Sequence, residues 1–331
     1  MIRQLKNWVI LHDDVYSYIR FSRTFPIQQI RSGVRHKRLS SVLPLREDCS
    51  IFPEVLTIET TNICNAFCIF CPHSKMKRKQ TIMTSSLYEK IINEAKQLGV
   101  KEIVLSFFGE PFCDRNIINR IKFAKQNGLK VTIYTNAILL DEHTSQEIID
   151  NKLDKIFISL DSYSSEHYKK IRLVGKYDEV VKNVNDLIEL KKKNNSLLPI
   201  VEIGMIILDK KDKQGIQTFM DQWKHADNVV VRQPHEWINK GTDIKNKLPC
   251  YPLWNDFYIL CDGRVVPCCM DYDGTYILGD TNRQTLDEIW KTSQQLKQLR
   301  KHHLENTTDS LDLCKNCTVL NSSTYPWWYF K

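Results

Sequence analysis

The chain has 331 residues, 42% of them apolar and 10% aromatic, and a formal charge of +8 at neutral pH. That composition fits one sizeable globular domain with a smaller appendage and excludes a collagen-like or disordered chain. No apolar run approaches the ~20 residues needed to span a bilayer, and Asp13 and Asp14 cut off Val9–Leu11 before a secretory signal core can form, so the expected location is cytoplasmic.

Residues 1–50 read as a basic N-terminal arm, with nine Lys/Arg against two Asp over 1–46. Leu5, Val9, Val15, Tyr18 and Ile19 fit one side of a helix there. Neither this arm nor the basic run Lys75, Lys77, Arg78, Lys79 interleaves aromatics as nucleic-acid readers do, so no nucleic-acid partner is expected. The net charge does favour an anionic substrate. Over residues 51–240 the pattern turns to strand–helix alternation. The predicted strands are Val55–Thr60, Glu102–Phe107, Leu129–Thr135, Lys155–Leu160, Val201–Leu208 and Val229–Val231. The predicted helices are Ser85–Leu98, Asp114–Asn127 closed by Gly128, a short one after Asp141, Asp178–Lys192 and Lys213–Trp223. Six β/α units imply an α/β fold with a parallel sheet covered on both faces. They fall short of eight, which predicts an open, partial (β/α)6 barrel whose functional loops follow the strand C-termini. Beyond residue 240 the alternation stops, and 241–331 forms a small cysteine-rich domain.

Eleven cysteines in a chain expected to be cytoplasmic call for a reason other than disulfides. They fall in groups: Cys64, Cys68 and Cys71 early, then Cys250, Cys261, Cys268, Cys269, Cys314 and Cys317 late, with Cys49 and Cys113 alone. Short spacings within groups point to metal binding. The C-x3-C-x2-C of Cys64, Cys68 and Cys71, in the loop after the first strand, lets one loop wrap three corners of an iron–sulfur cubane and leaves one iron open for chemistry. A structural zinc or iron–sulfur site completed by a distant cysteine is the alternative.

This motif, with Phe70 before its last cysteine, resembles the signature of the radical S-adenosylmethionine superfamily. The resemblance implies a [4Fe-4S] cluster on Cys64, Cys68 and Cys71 whose open iron chelates S-adenosylmethionine. It also implies reductive cleavage to a 5′-deoxyadenosyl radical, with electrons from a flavodoxin- or ferredoxin-type donor. Further positions are similar at successive strand ends. Gly109-Glu110-Pro111 matches the family's GGEP loop around the methionine amino group, with Phe108 where the first glycine is usual. Thr135-Asn136-Ala137 resembles the TNG motif near the ribose. Ser159-Leu160-Asp161-Ser162 resembles SLDG. Arg172 fits the arginine that pairs with the methionine carboxylate, and Met205 fits a position near the adenine.

In the second group, Asp262-Gly263 predicts a hairpin turn ahead of Cys268, and Cys314 and Cys317 form a C-x2-C. A four-cysteine zinc ribbon has the same spacing. The arrangement, with Leu286–Trp290 as an adjoining helix, resembles the SPASM and twitch extensions of radical enzymes. That resemblance implies one auxiliary [4Fe-4S] cluster on Cys250, Cys268, Cys314 and Cys317. Cys269 is an adjacent alternate, and Cys261 is expected to pack in the hairpin. The aromatic tail 325–330 is expected to pack on this extension. Hydrogen abstraction from a small-molecule or peptide substrate is the implied first step. Oxidation of a sugar- or aminocyclitol-like alcohol leads. Epimerisation with Cys113 as hydrogen donor and peptide side-chain modification are the alternatives, and a non-catalytic iron–sulfur or zinc protein is the non-enzymatic one.

Overall fold

The structure is a computed structural model that describes residues 51–232, 249–250, 252–315 and 317. The basic arm, the aromatic tail and the expected boundary at 240 lie outside the described residues.

A nine-stranded sheet organises the molecule in the order β6-β5-β4-β3-β2-β1-β7-β8-β9. Its parallel part comprises β1 (Val55–Ile58), β2 (Glu102–Val104), β3 (Lys130–Thr135), β4 (Lys155–Ser159), β5 (Ile200–Ile206) and β6 (Asn228–Arg232). The connecting helices are α1 (Ser85–Gln97), α2 (Ile117–Gln126), α3 (Glu142–Asp150), α4 (Ser165–Arg172), α5 (Tyr177–Lys193) and α6 (Ile216–Gln222). Alternation along the strands assigns the two faces. Leu56, Ile103, Ile133, Ile158 and Ile203 are fully buried and join the helices in one core, with Ile91, Leu187 and Trp223. Residues between them, such as Thr57, Tyr134, Phe157 and Glu202, face the barrel interior. The sheet is not closed, and the fold is the expected partial barrel with a cysteine-rich C-terminal region.

Local chemistry sets the element ends. The Thr84 hydroxyl accepts from Leu87 N at 3.3 Å and starts α1, and Asp141 accepts from Thr144 N at 2.8 Å and starts α3. Helix α2 begins at Ile117, later than expected. Asp114 is instead taken by the Arg120 Nε, 2.6 Å away, and by Asn116 N. Helix α4 was absent from the periodicity reading, because eight residues with three buried positions carry little pattern.

The parallel sheet does not end with β6. A short helix α7 (Pro252–Asn255) leads into β7 (Asp256–Ile259), which lies parallel to β1 in the register Val55↔Asp256 and Thr57↔Tyr258. This corrects the expectation that the alternation stops near residue 240: the cysteine-rich region contributes a seventh parallel strand. The expected hairpin follows, β7 pairing antiparallel with β8 (Arg264–Val266), and Gly263 takes the turn at φ +93°. Strand β9 (Gly279–Asp280) completes the sheet, and helices α8 (Leu286–Thr292) and α9 (Gln294–Leu304) cover its outer side. Phe257 packs outward against Phe52 and Trp290, with ring centroids 5.3 and 6.1 Å away.

Candidate active site

The loop leaving β1 carries Cys64, Cys68 and Cys71, all half-buried. Backbone bonds shape it. Phe67 N and Ile69 N donate to the carbonyls of Arg172 and Ile171, at 3.2 and 2.9 Å. Asn62 straps the returning segment, donating to Lys79 O at 2.9 Å and accepting from Thr81 N at 2.7 Å. Burial pushes the Cys71 thiol up to about 11 and the Cys64 thiol up to about 12. Buried thiols of this kind ionise at neutral pH only beside strong positive charge, which metal ions supply.

The loop after β2 packs directly on this one. A β-carbon on Gly109 would lie 2.0 Å from the Thr61 carbonyl oxygen, so only glycine fits. Glu110 N then donates to Ile63 O at 2.8 Å. The Glu110 carboxylate is buried, accepting from Thr135 Oγ1 at 2.6 Å, Asn136 N at 2.7 Å and Phe112 N at 3.2 Å. Burial pushes its pKa up against these opposing bonds. Phe108 turns away toward the C-terminal region, its ring 5.8 Å from that of Tyr272.

Asn136, after β3, donates from Nδ2 to Asn65 Oδ1 at 2.7 Å, which ties the third strand end to the cysteine loop. Cys113 is half-buried on a 3-10 turn, Pro111–Cys113. Burial and then the Glu110 charge push its thiol up to about 11, against a hydrogen bond with the Asn65 backbone.

Arg172 ends α4 beneath the cysteine loop and is 5% exposed. Its guanidinium pairs with Asp161, donates to the Ser159 carbonyl, reaches Cys68 Sγ at 3.3 Å and lies 5.5 Å from the Phe70 ring centre. Burial disfavours the cation, but Cys68, Asp161 and Tyr168 outweigh that and keep it protonated. Arg172 therefore has a carboxylate partner within the chain. Met205 does not join this group: its side chain is fully buried in the helix-facing core with Ile203.

Asn65 and Tyr168, which none of the recognised motifs singled out, join this group. The Asn65 Nδ2, Tyr168 Oη and Arg172 Nε atoms are buried without a hydrogen-bond partner. Tyr168 lies one helical turn before Arg172, a spacing that was available as a signal. Orphaned donors around three thiols fit a polar ligand on a metal centre. S-adenosylmethionine, with its amino and carboxylate groups, meets that requirement.

The late cysteines also gather. Cys250, Cys268, Cys269 and Cys314 are half-buried and Cys317 is buried. Burial pushes the Cys250 and Cys268 thiols well up, and neighbouring cysteines add to it: Cys317, Cys314 and Cys269 around Cys250, and Cys269, Cys250 and Cys314 around Cys268. Such a set needs cations to ionise, and an iron–sulfur cluster fits it. Cys261 stands apart, buried beside the Glu59–Arg78 pair, as expected of a packing residue.

That pair was also missed. Glu59 is wholly buried, and Arg78 donates to both its oxygens at 2.6 and 2.8 Å. Cys261 N and Phe108 N donate to the same carboxylate, and Arg78 Nε reaches Tyr272 O at 2.7 Å. One ion pair thus joins the cysteine loop, the Gly-Glu-Pro loop and the C-terminal region.

The radical SAM superfamily profile matches residues 58–222, and an iron–sulfur cluster-binding SPASM domain matches residues 250–318. The chain belongs to the radical SAM superfamily. It is a radical SAM enzyme whose cofactors are a [4Fe-4S] cluster, an auxiliary cluster and S-adenosyl-L-methionine. One relative is the S-adenosyl-L-methionine-dependent 2-deoxy-scyllo-inosamine dehydrogenase of Niallia circulans, 23% identical over 82% of this chain and 94% of its own length. A probable GTP 3′,8-cyclase of Methanococcus maripaludis is 30% identical over 40% of this chain and 45% of its own. Among solved structures, BtrN with AdoMet and 2-DOIA aligns at TM-score 0.56 and 20% identity, covering 81% of this chain and 93% of that one. Streptococcus suis SuiB bound to precursor peptide SuiA aligns at TM-score 0.65 and 17% identity, covering 90% and 76%. Among the described residues no helix is long and apolar enough to cross a membrane.

Proposed function

We propose that this enzyme oxidises an alcohol of a sugar- or aminocyclitol-like small molecule. Cys64, Cys68 and Cys71 hold the cluster that binds S-adenosylmethionine, with Gly109, Glu110, Asn136, Ser159, Asp161 and Arg172 forming the cofactor pocket and Phe70 against Arg172. Bound there, the cofactor supplies a 5′-deoxyadenosyl radical that removes a hydrogen atom from the carbinol carbon. Cys250, Cys268, Cys314 and Cys317 would hold one auxiliary [4Fe-4S] cluster, able to take up the remaining electron while the hydroxyl proton passes to solvent and the ketone forms. The carrying observation is the parallel seating of β7 on β1. It makes the strand leading into the auxiliary cysteines part of the barrel wall, which supports an electron acceptor within reach of a substrate in the interior. The dehydrogenase relative, matched over 94% of its length, supports the same reaction class. A flavodoxin- or ferredoxin-type donor reduces the first cluster; exposed Phe67, Ile69 and Leu173 around the cysteine loop support a docking face there.

The test is anaerobic reconstitution with S-adenosylmethionine and dithionite, followed by a panel of aminocyclitols and amino sugars. Substrate-dependent 5′-deoxyadenosine with an equal amount of ketone is expected. Deoxyadenosine with no oxidised product from any alcohol would refute the dehydrogenase reading. A thiol-assisted epimerisation is the second reading, favoured by the half-buried Cys113 between Glu110 and Asn65. It requires solvent deuterium at the reacting carbon and loss of that label in Cys113→Ala, whereas oxidation leaves no deuterium and tolerates Cys113→Ala.

A further inference from the structure

Strand β7 carries an unusual pair on its interior face. Phe257 and Ile259 point to the helical layer and are 1% exposed, so the alternate residues Asp256 and Tyr258 face the barrel interior beside Val55 and Thr57. Tyr258 Oη donates to Asp256 Oδ2 at 2.8 Å. Both residues are half-buried, and the Tyr258 ring lies 5.7 Å from that of Phe107, on the segment leading to the Gly-Glu-Pro loop. Cys269 and Cys268 act electrostatically on Tyr258, and Asp256 acts on Cys269.

Other interior carboxylates are already matched. Glu202 has Lys155 at 3.0 Å and Arg232 at 3.6 Å, and Glu102, level with Asp256 across Val55 at the strand starts, accepts from Thr132 Oγ1 at 2.7 Å. Among the described residues, Asp256 has one hydrogen-bond partner, a neutral hydroxyl, and no cation. We infer that Asp256, held in place by Tyr258, is the binding group for a protonated amine on the substrate. It sets a preference for amine-bearing alcohols over neutral ones. Three features support this. The carboxylate is half-buried, still reached by solvent, and bonded only to the Tyr258 hydroxyl; a partly desolvated carboxylate without a cation gains most from one. The neighbouring auxiliary thiolates add negative charge to the same wall, which also favours a cation. An amine gripped here sits at the strand-start end of the interior, with the rest of the substrate directed toward the cofactor loops at the strand C-termini. The chain's excess positive charge points to an anionic ligand, but this wall of the interior has the opposite sign.

The inference rests on the dehydrogenase reading, and the experiment separates the two. Reconstituted holoenzyme with S-adenosylmethionine is titrated calorimetrically with 2-deoxy-scyllo-inosamine and glucosamine, and with their N-acetyl derivatives. A charge-assisted hydrogen bond predicts that a free amine binds about 10- to 100-fold more tightly than its acetylated form. Asp256→Asn, close to isosteric, is expected to abolish that preference with iron content and circular dichroism unchanged. Tyr258→Phe, which keeps the carboxylate, is expected to retain a preference. Equal affinity for amine and amide, an undiminished preference in Asp256→Asn, or binding of none of the four compounds overturns the inference. Ketone formed from neutral alcohols without amine preference sinks the inference and leaves the dehydrogenase; tight amine binding without oxidation does the reverse.

Discussion

Gly109 and Asp256 show how much a single position carries. With no side chain, Gly109 lets the Gly-Glu-Pro loop lie on the backbone of Thr61 and Asn62, and Glu110 is thereby aimed at the mouth of the barrel. The obstructing atoms are main chain and cannot swing aside. Gly109→Ala is therefore expected to cost about 1–3 kcal/mol in denaturant unfolding and to lower iron uptake at the first cluster; an unchanged midpoint and iron content would show that the loops separate freely. Asp256 is stabilised in its neutral form by burial, so its folded pKa, about 6, exceeds the ordinary carboxylate value. The folded state then binds the proton more strongly than the unfolded one, and stability falls as pH rises from about 4 to about 6. Asp256→Asn removes that penalty. Its thermal midpoint should exceed that of the parent enzyme at pH 8, and the gap should close toward pH 4. A gap independent of pH would mean that the carboxylate is not desolvated.

At the level of elements, the Glu59–Arg78 pair fastens the loops around the first cluster to the region around the second. Five donor bonds converge on or extend from it, and both side chains are almost completely shielded from water. Removing one partner leaves a buried charge, which typically costs about 3–5 kcal/mol. Arg78→Met should therefore loosen β7–β8 and the 270–276 turn, seen as faster amide exchange there, with β3–β5 unaffected. The double replacement Glu59→Gln with Arg78→Met should recover part of the loss, because no charge is then stranded. Protection unchanged in Arg78→Met would show that the pair is incidental to docking.

For the whole molecule, two thiolate sets imply two cubanes and about eight irons per chain. Replacing Cys64, Cys68 and Cys71 together by Ala should remove about half the iron and all S-adenosylmethionine cleavage. Replacing Cys250 and Cys314 should remove the other half and leave reductive cleavage in place, with oxidation lost. Stoichiometric zinc in anaerobically purified protein, with no iron uptake, would refute both assignments.

The six β/α units, the two cysteine groups and the Gly-Glu-Pro, Asn136 and Arg172 positions were legible in the sequence. Each depends on neighbours in the chain: alternating buried residues, a glycine at a turn, thiols a few residues apart. Boundaries were less legible where a long-range bond intervened, as when Arg120 claims Asp114 and delays α2. Only the tertiary structure decided that β7 joins β1, because a four-residue strand states its own alternation but not its partner. The same holds for the Asp161 carboxylate on Arg172 and the pairing of Glu59 with Arg78. Burial turned Met205 from a pocket candidate into core. Asp256 is one more aspartate in the linear chain. Its solitary, desolvated carboxylate on an interior wall exists only because strands some 200 residues apart in sequence lie side by side, as the Val55↔Asp256 register records.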